Sequence, residues 1–186
     1  MARAPRLPQG GPSIFDTEPD DPASGETVPA VTATDVGAGQ APASSSRRRL
    51  VVEADGGSRG NPGPGAYGAV VKDALSGDVL DAEGVTLGIC TNNVAEYSGL
   101  IAGLEMARAI DPTAAVEVRM DSKLVIEQMA GRWKIKHPDM KPLALKAQGL
   151  RPPEVMWTWV PREQNKAADR LANEAMDGRP RVRATR

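Results

Sequence analysis

The sequence predicts an α/β domain built on a mixed five-stranded sheet that is flanked by helices. Three apolar segments follow one another through short turns, which is typical of antiparallel strands. Two later strand segments are each preceded by a helical segment, and strands joined through helices are typically parallel. Only 3% of the residues are aromatic, so the core of this domain must be mainly aliphatic.

Apolar runs and alternating patterns place the five strands at 50–55, 66–72, 79–87, 115–120 and 154–160. In the fourth segment Val116, Val118 and Met120 alternate with charged residues, which is the period of a strand with one buried face. We expect strands 1, 4 and 5 to be parallel, because helices connect them. Strands 2 and 3 should extend strand 1 in antiparallel fashion.

Helical periodicity predicts four helices, at 92–110, 122–130, 138–148 and 163–176. The first has one apolar stripe at three- and four-residue spacing, formed by Val94, Tyr97, Ile101 and Leu104. Such a stripe indicates a helix that packs one face against the sheet.

The predicted domain spans residues 47–178 and lies between two tails. Segment 1–46 is rich in Pro, Gly, Ala, Ser and Thr and contains six acidic residues and two Arg. A segment of this composition buries too little apolar surface to fold, so we expect it to be disordered. Residues 179–186 contain four Arg and no acidic residue, and we expect a loose basic tail there.

Overall charge and cysteine content narrow the functional classes. A formal net charge of −1 argues against a protein that binds nucleic acid through a uniformly basic surface. The single cysteine, Cys90, excludes an internal disulfide, and we expect it to be a small buried residue. No apolar run has the length of a membrane span and no apolar leader is evident, so we expect a cytoplasmic protein that does not bind membranes.

Four acidic residues lie where the predicted fold can bring them together: Asp55, Glu96, Asp121 and Asp169. Asp55 ends strand 1 and Asp121 follows strand 4, and neighbouring strand ends lie about 5 Å apart. Glu96 and Asp169 lie beside the apolar faces of their helices, from which both can reach the strand ends. Carboxylates this close repel one another unless a cation separates them, and a site of oxygen ligands without Cys or His suits Mg²⁺ or Mn²⁺.

Each of these acids also has a structural explanation. Asp55 precedes two glycines and could form a turn, whereas Asp121 could cap the helix that follows it. Glu96 near a helix start suits the helix dipole, and Asp169 could pair with a neighbouring arginine. Only the combination of the four points to chemistry.

Four segments resemble type 1 ribonuclease H, in its order and spacing: DGGSRGNPGPGAYG (55–68), TNNVAEYSGLIAGL (91–104), MDSKLVIEQM (120–129) and PREQNKAADRLANEA (161–175). The resemblance covers residues 48–177 and implies the RNase H-like fold. It implies that Asp55, Glu96, Asp121 and Asp169 hold two Mg²⁺ ions, with Mn²⁺ as an alternative. The implied activity is hydrolysis of the RNA strand of RNA–DNA hybrids by a two-metal mechanism, leaving 5′-phosphate and 3′-hydroxyl ends.

The resemblance also implies four substrate-binding residues: Asn61, Thr91, Asn92 and Asn93. The three asparagines match positions that line the minor groove of the hybrid, and Thr91 with Asn61 matches a pocket for a phosphate of the DNA strand. Amides can donate to and accept from the 2′-hydroxyl that distinguishes RNA from DNA. We expect Gly56 and Gly57 to let the backbone approach the substrate closely.

The chain departs from the family pattern in the loop before the last helix, where many members carry a histidine. In lacking this histidine, the chain resembles a prokaryotic subset of the family. We expect Arg162 to take the role of the histidine by stabilising developing charge, with Glu163 as the alternative. The only histidine, His137, lies elsewhere and is expected to be an ordinary loop residue. Segment 131–142 is too short for the basic handle of some relatives, which leaves double-stranded RNA open as a second substrate.

The positions of the three tryptophans in the predicted fold indicate their roles. Trp157 and Trp159 share one face of strand 5, where we expect them to pack. Trp133 could contact the DNA strand together with Lys134 and Lys136, or it could pack on the core.

Two other functions stay open at this stage. A module that binds hybrids or double-stranded RNA with weak or no catalysis would require a lost carboxylate, and none is lost. Another nuclease-like or transposase-like enzyme on the same fold would lack the TNN and GNPGPG segments. We therefore predict a monomeric, metal-dependent ribonuclease H.

Overall fold

The computed structural model describes residues 47–183, so the expected disorder of 1–46 lies outside the described residues. The strands are β1 (Arg49–Ser58), β2 (Gly63–Asp73), β3 (Val79–Cys90), β4 (Ala115–Met120) and β5 (Glu154–Trp159). They form one sheet in the order β3-β2-β1-β4-β5. Pairing is antiparallel for β1–β2 and β2–β3 and parallel for β1–β4 and β4–β5. The predicted mixed sheet is confirmed.

Helices cover both faces of this sheet. They are α1 (Asn92–Ile110), α2 (Lys123–Met129), α3 (Met140–Gly149) and α4 (Lys166–Met176). Ala69 and Val71 of β2 belong to the core that α1 shares, whereas Val70 packs with Leu171 of α4. Successive side chains of a strand point to opposite faces, so α1 and α4 lie on opposite sides of the sheet.

The core is aliphatic, as the composition predicts. Tyr97 is the one aromatic residue among its largest fully buried side chains, which are otherwise mainly Leu, Met, Ile and Val. In α1 the predicted stripe is buried at Tyr97, Ile101 and Leu104, while Val94 is partly buried. Burial of one helix face against β1 therefore positions the first turn of α1 at the carboxyl end of that strand.

The last helix and the first three strands differ from the predicted bounds. Residues Arg162–Gln164 form a short 3-10 turn, so α4 begins at Lys166 rather than at residue 163. The glycine-rich segment after Asp55 continues the ladder of β1, with Ser58 opposite Gly65. Glycine and proline favour turns on average, but the backbone pairing between β1 and β2 overrides that tendency here.

The C-terminal segment packs against β3. The backbones of Gly84 and Arg181 exchange two hydrogen bonds of 2.8 Å, and Nε of Arg183 lies 2.9 Å from a carboxylate oxygen of Asp81. The prediction of a loose tail is therefore wrong for these two arginines, because the tail finds backbone partners at a sheet edge. Among the helices of residues 47–183, none has the length and apolar character that crossing a membrane requires.

Candidate active site

The parallel pairing of β1 with β4 brings two of the predicted acids to the same level. Glu53 lies opposite Arg119 in this ladder, and Asp55 and Asp121 each follow two residues later. Asp55 is buried, with 8% of its surface exposed. The predicted meeting of the two strand ends is thus present in the structure.

Helix α1 adds Glu96 because β1 has a glycine where the two elements touch. A Cβ atom at Gly56 would lie 2.1 Å from the carbonyl carbon of Ala95 and 2.3 Å from the backbone nitrogen of Glu96. Only a residue without a side chain permits this approach. We expected Gly56 to make room for substrate, but in the structure it makes room for the helix that carries Glu96. The first turn of α4 supplies Asp169.

The four carboxylates act on one another electrostatically. Burial raises the pKa of Asp55 from 3.8 to about 7, and the negative charges of Asp121 and Asp169 add to that rise. Burial likewise raises the pKa of Glu96 well above its usual range, followed by the charges of Asp55 and Asp121. Like charges held together in a desolvated place favour binding of protons or of cations.

The donor set suits a hard divalent cation in its chemistry. All four side chains offer oxygen, and Oε2 of Glu96 is buried without a hydrogen-bond partner in the described part of the chain. A buried charged oxygen without a partner is costly, and a cation would satisfy it. Within residues 47–183, however, no three Asp, Glu, His or Cys side chains form a group that could hold a metal ion in this arrangement. The carboxylates form a repelling cluster rather than a closed coordination shell.

Arg162 is a cation that faces this cluster. Its guanidinium forms an ion pair with Oδ1 of Asp169, and this hydrogen bond raises the pKa of Arg162. The charge of Arg162 also opposes the pKa rise of Asp55 and of Glu96. The structure therefore places Arg162 beside the predicted acids, while the alternative residue, Glu163, is exposed to solvent. The same ion pair is the purely structural explanation that the sequence offered for Asp169.

Asn165 and Trp159 are two contributors that the sequence analysis missed. Nδ2 of Asn165 donates to the carbonyl oxygen of Ala54 and to Oδ1 of Asp121, both at 2.8 Å. The Trp159 indole, 50% exposed, donates from Nε1 to the carbonyl oxygen of Asp121 at 3.0 Å. Trp157 packs against the core as expected, but the same expectation is wrong for Trp159. The position of Asn165, four residues before Asp169, was the one available signal.

Two of the four expected substrate-binding residues, Asn61 and Asn92, form one hydrogen-bond network, and Thr91 caps the helix beside it. The Asn92 backbone N–H donates to Oδ1 of Asn61 at 3.2 Å, and Oδ1 of Asn92 accepts from the Ser58 backbone at 2.8 Å and hydroxyl at 2.9 Å. Oγ1 of Thr91 accepts from the backbone N–H of Val94 at 3.3 Å and caps α1. Asn93 follows Asn92 in the first turn of α1, partly exposed. Ser58 had no role in the sequence analysis, and it ties β1 to this network.

The remaining aromatic and histidine candidates lie in the segment between α2 and α3. Nζ of Lys123 is 6.0 Å from the centre of the Trp133 ring, a geometry that favours a cation–π contact. His137 is exposed, and its Nδ1 accepts from the backbone N–H of Asp139 at 3.3 Å. This segment carries none of the four clustered carboxylates.

A cavity of about 740 Å³ lies at the opposite end of the parallel strands, with Arg47, Arg119 and Met156 among its lining residues. Three of its four arginines form ion pairs within the wall, as in the 2.7 Å pair of Arg119 with Glu117. Volume alone does not make a catalytic site, whereas strongly shifted carboxyl pKa values such as those of Asp55 and Glu96 are typical of one.

Comparisons with known proteins identify the family of this chain. A family profile described as reverse transcriptase-like matches residues 53–175. The N-terminal RNase H domain of Rv2228c from Mycobacterium tuberculosis, solved as a fusion with maltose binding protein, is 54% identical with a TM-score of 0.68. That match covers 71% of this chain and 96% of the solved chain. The chain belongs to the ribonuclease H family. The resemblance to type 1 RNase H that the sequence motifs indicated is thereby confirmed.

Two further RNase H structures are similar to this RNase H domain. RNase H1 from the archaeon Halobacterium salinarum is 42% identical with a TM-score of 0.66, over 70% of this chain and 98% of that chain. LC11-RNase H1, solved in complex with an RNA/DNA hybrid, is 40% identical with a TM-score of 0.66, over 69% and 97%. The full-length bifunctional protein Rv2228c is 56% identical over 131 residues, which are 69% of this chain and 36% of that protein. The chain thus spans about a third of that curated relative.

Proposed function

We propose that this RNase H domain is a metal-dependent endoribonuclease that hydrolyses the RNA strand of RNA–DNA hybrids. The observation that carries the proposal is the cluster of Asp55, Glu96, Asp121 and Asp169, in which burial and mutual repulsion raise the pKa of Asp55 to about 7. A relative of the same family, LC11-RNase H1, has been solved with an RNA/DNA hybrid. The RNase H family is in general dependent on divalent metal ions.

The four carboxylates would hold two Mg²⁺ or Mn²⁺ ions, which supply activation of the attacking water and neutralisation of charge at the phosphate. Asp55 is central because the negative charges of both Asp121 and Asp169 act on it. Glu96 offers the buried Oε2, which has no hydrogen-bond partner among residues 47–183. Hydrolysis by this arrangement leaves a 5′-phosphate and a 3′-hydroxyl.

Arg162 would stabilise negative charge that develops at the scissile phosphate. Its guanidinium lies at the cluster but is largely exposed, with 69% of the side chain accessible, so it can turn from Asp169 to a bound phosphate. An arginine presents several N–H donors in a planar array that matches phosphate oxygens. Arg162 would thereby take the place of the histidine that many family members carry in this loop.

Recognition of the RNA strand would come from Asn61, Thr91, Asn92 and Asn93. The hydrogen bonds that join Asn61, Asn92 and Ser58 hold the loop after β1 against the start of α1. A surface fixed in this way can read the minor groove through backbone groups and amides, where the 2′-hydroxyl marks RNA. Double-stranded RNA has 2′-hydroxyls on both strands and is the second candidate substrate.

The decisive variant is Asp121→Asn, which removes a charge from the cluster with little change in volume. We expect turnover to fall about a hundred- to a thousandfold, the usual effect of losing one electrostatic group at a reacting centre. Cleavage of labelled hybrid, double-stranded RNA and double-stranded DNA should be measured with Mg²⁺, with Mn²⁺ and with chelator. Asp78→Asn is the matched control, since Asp78 is exposed in the turn between β2 and β3.

The outcomes separate three functions. Near wild-type turnover of Asp121→Asn would contradict the proposal. Binding of hybrid or double-stranded RNA without cleavage in either metal would indicate a binding module. Cleavage of double-stranded DNA would indicate another kind of nuclease on this fold.

A further inference from the structure

The side chain of Asn165 connects three segments of the carboxylate cluster. Asn165 is completely buried, with 0% of its surface exposed. Its Nδ2 donates at 2.8 Å to the carbonyl oxygen of Ala54, the residue before Asp55 on β1. The same Nδ2 donates at 2.8 Å to Oδ1 of Asp121, directly after β4. Its backbone immediately precedes α4, the helix that carries Asp169.

This contact depends on the chemistry of an amide. Nδ2 has two N–H groups, and both have acceptors here, one on β1 and one directly after β4. Aspartate has the same shape but has no N–H, so it would set a negative charge against two oxygen acceptors. A hydrophobic side chain would leave the Ala54 carbonyl and the Asp121 carboxylate without this donor.

The geometry also selects between the two oxygens of Asp121. Oδ1 accepts the hydrogen bond from Asn165, while the backbone carbonyl of Asp121 accepts from Trp159. Rotation of the carboxylate would break the contact at Oδ1. Oδ1 keeps one lone pair and Oδ2 keeps both, so the fixed carboxylate presents Oδ2 as its more open oxygen to a ligand.

We propose that Asn165 is a positioning residue of the metal site: it fixes the Asp121 carboxylate and keeps the ends of β1 and β4 in register. The inference rests on the proposed function, in which Asp121 is a metal ligand. Partners that orient a metal ligand commonly change metal affinity about 10- to 100-fold when they are removed. Asn165 itself touches neither metal nor substrate in this scheme.

The test is binding of Mn²⁺ alone, followed by the electron paramagnetic resonance signal of the free ion and without nucleic acid. Asn165→Ala is expected to bind Mn²⁺ about 10- to 100-fold more weakly than the wild-type chain. The control is Asn173→Ala, since the Asn173 amide also donates to a carbonyl of the chain, that of Asp169 at 2.9 Å, but is exposed. Wild-type affinity in folded Asn165→Ala would overturn the inference.

A double-mutant cycle separates positioning from a general effect on the fold. In an Asp121→Ala background, Asn165→Ala is expected to change Mn²⁺ affinity much less, because its effect passes through Asp121. An equal loss of affinity in both backgrounds would overturn the positioning role. Should Asn165→Ala not fold, nuclear magnetic resonance of Asp121→Ala supplies the second measurement. The side-chain amide signals of Asn165 are expected to move, and unmoved signals would overturn the inference.

Failure of this inference differs from failure of the proposed function. A wild-type chain that neither binds Mn²⁺ nor cleaves hybrid would remove the metal site itself, and the positioning role with it. A wild-type chain that does both, alongside an Asn165→Ala variant of unchanged Mn²⁺ affinity, would remove only the positioning role.

Discussion

Asp55 combines burial with charge repulsion. Burial first, and then the charges of Asp121 and Asp169, raise its pKa from 3.8 to about 7. A carboxyl group whose folded pKa exceeds its unfolded pKa binds more protons in the folded state. The contribution of Asp55 to the free energy of unfolding therefore falls as the pH rises from 3.8 to about 7. Glu96, whose pKa is also raised, contributes in the same direction.

This proton linkage predicts a pH dependence of stability. In chelator, the contribution of Asp55 to the free energy of unfolding should fall between the unfolded pKa of 3.8 and the folded pKa of about 7. The contribution of Asp55 is at most about 1.4 kcal/mol per pH unit. Asp55→Asn should reduce this slope, because the amide carries no charge to desolvate. Urea unfolding of the wild-type protein and of Asp55→Asn over this pH range measures the two slopes. Equal slopes would contradict the raised pKa of Asp55.

The positive charge of Arg162 opposes the negative charges of the clustered carboxylates, so replacing Arg162 tests its part in catalysis. Arg162→Ala should lower turnover on hybrid by about a hundredfold, in line with other lost electrostatic groups at reacting centres. Arg162→Lys should recover part of this loss, because it retains the charge but not the planar donor array. The control is Arg170→Ala on α4, since Arg170 is exposed and its one ion pair within residues 47–183 is the 3.9 Å contact with Glu174. Unchanged turnover in Arg162→Ala would remove this arginine from the mechanism.

The contact between β1 and α1 depends on Gly56. A Cβ atom there would lie 2.1 Å from backbone of α1, and neither strand nor helix can move without disturbing the sheet or the core. Gly56→Ala should lower the free energy of unfolding by about 3 kcal/mol, at the upper end for an overpacked site. Gly57→Ala is the control, because its Cβ would make an ordinary contact of 3.7 Å with Met176. Chemical denaturation compares the two variants, which should behave alike if the close approach is unimportant.

The sequence was sufficient to predict the elements whose signals are local. Alternation in β4 and the apolar stripe of α1 do not depend on distant residues, and chain order with connection type was enough to separate parallel from antiparallel strands. The four acids could be predicted as a group because Asp55 and Asp121 lie at the ends of predicted strands, while Glu96 and Asp169 lie beside the apolar faces of their helices. Asn165 could not, since its acceptors lie at Ala54 and Asp121, and only the folded chain brings these together.

Contacts between distant residues also explain why some helices and strands begin or end at other residues than the sequence predicts. The 3-10 turn at Arg162–Gln164 lies next to Asn165, whose backbone departs from helical angles (φ −108°, ψ 19°). The contact of Trp159 with Asp121 depends on a side-chain direction that strand periodicity does not specify. Tertiary hydrogen bonds decide such features, and a linear pattern does not contain them.

Every residue of the candidate site lies within the range that matches the family, 53–175. Deletion of residues 1–46 should therefore leave turnover and the affinity for hybrid within about twofold of the full chain, because no motif lies there. Steady-state cleavage of the same labelled hybrid by both proteins measures this. A large drop in turnover would assign the acidic segment a part in catalysis.

The pairing of Arg181 with Gly84 has a consequence for association between molecules. β3 is an outer strand of the sheet, and unpaired N–H and carbonyl groups on such a strand can template the addition of a strand from another copy. The C-terminal segment occupies part of that template with its own backbone and places the positive charges of Arg181 and Arg183 beside it. The segment around Arg181 thus keeps the Gly84 backbone from pairing with another copy, and we expect a chain shortened after α4 to associate through β3 more readily.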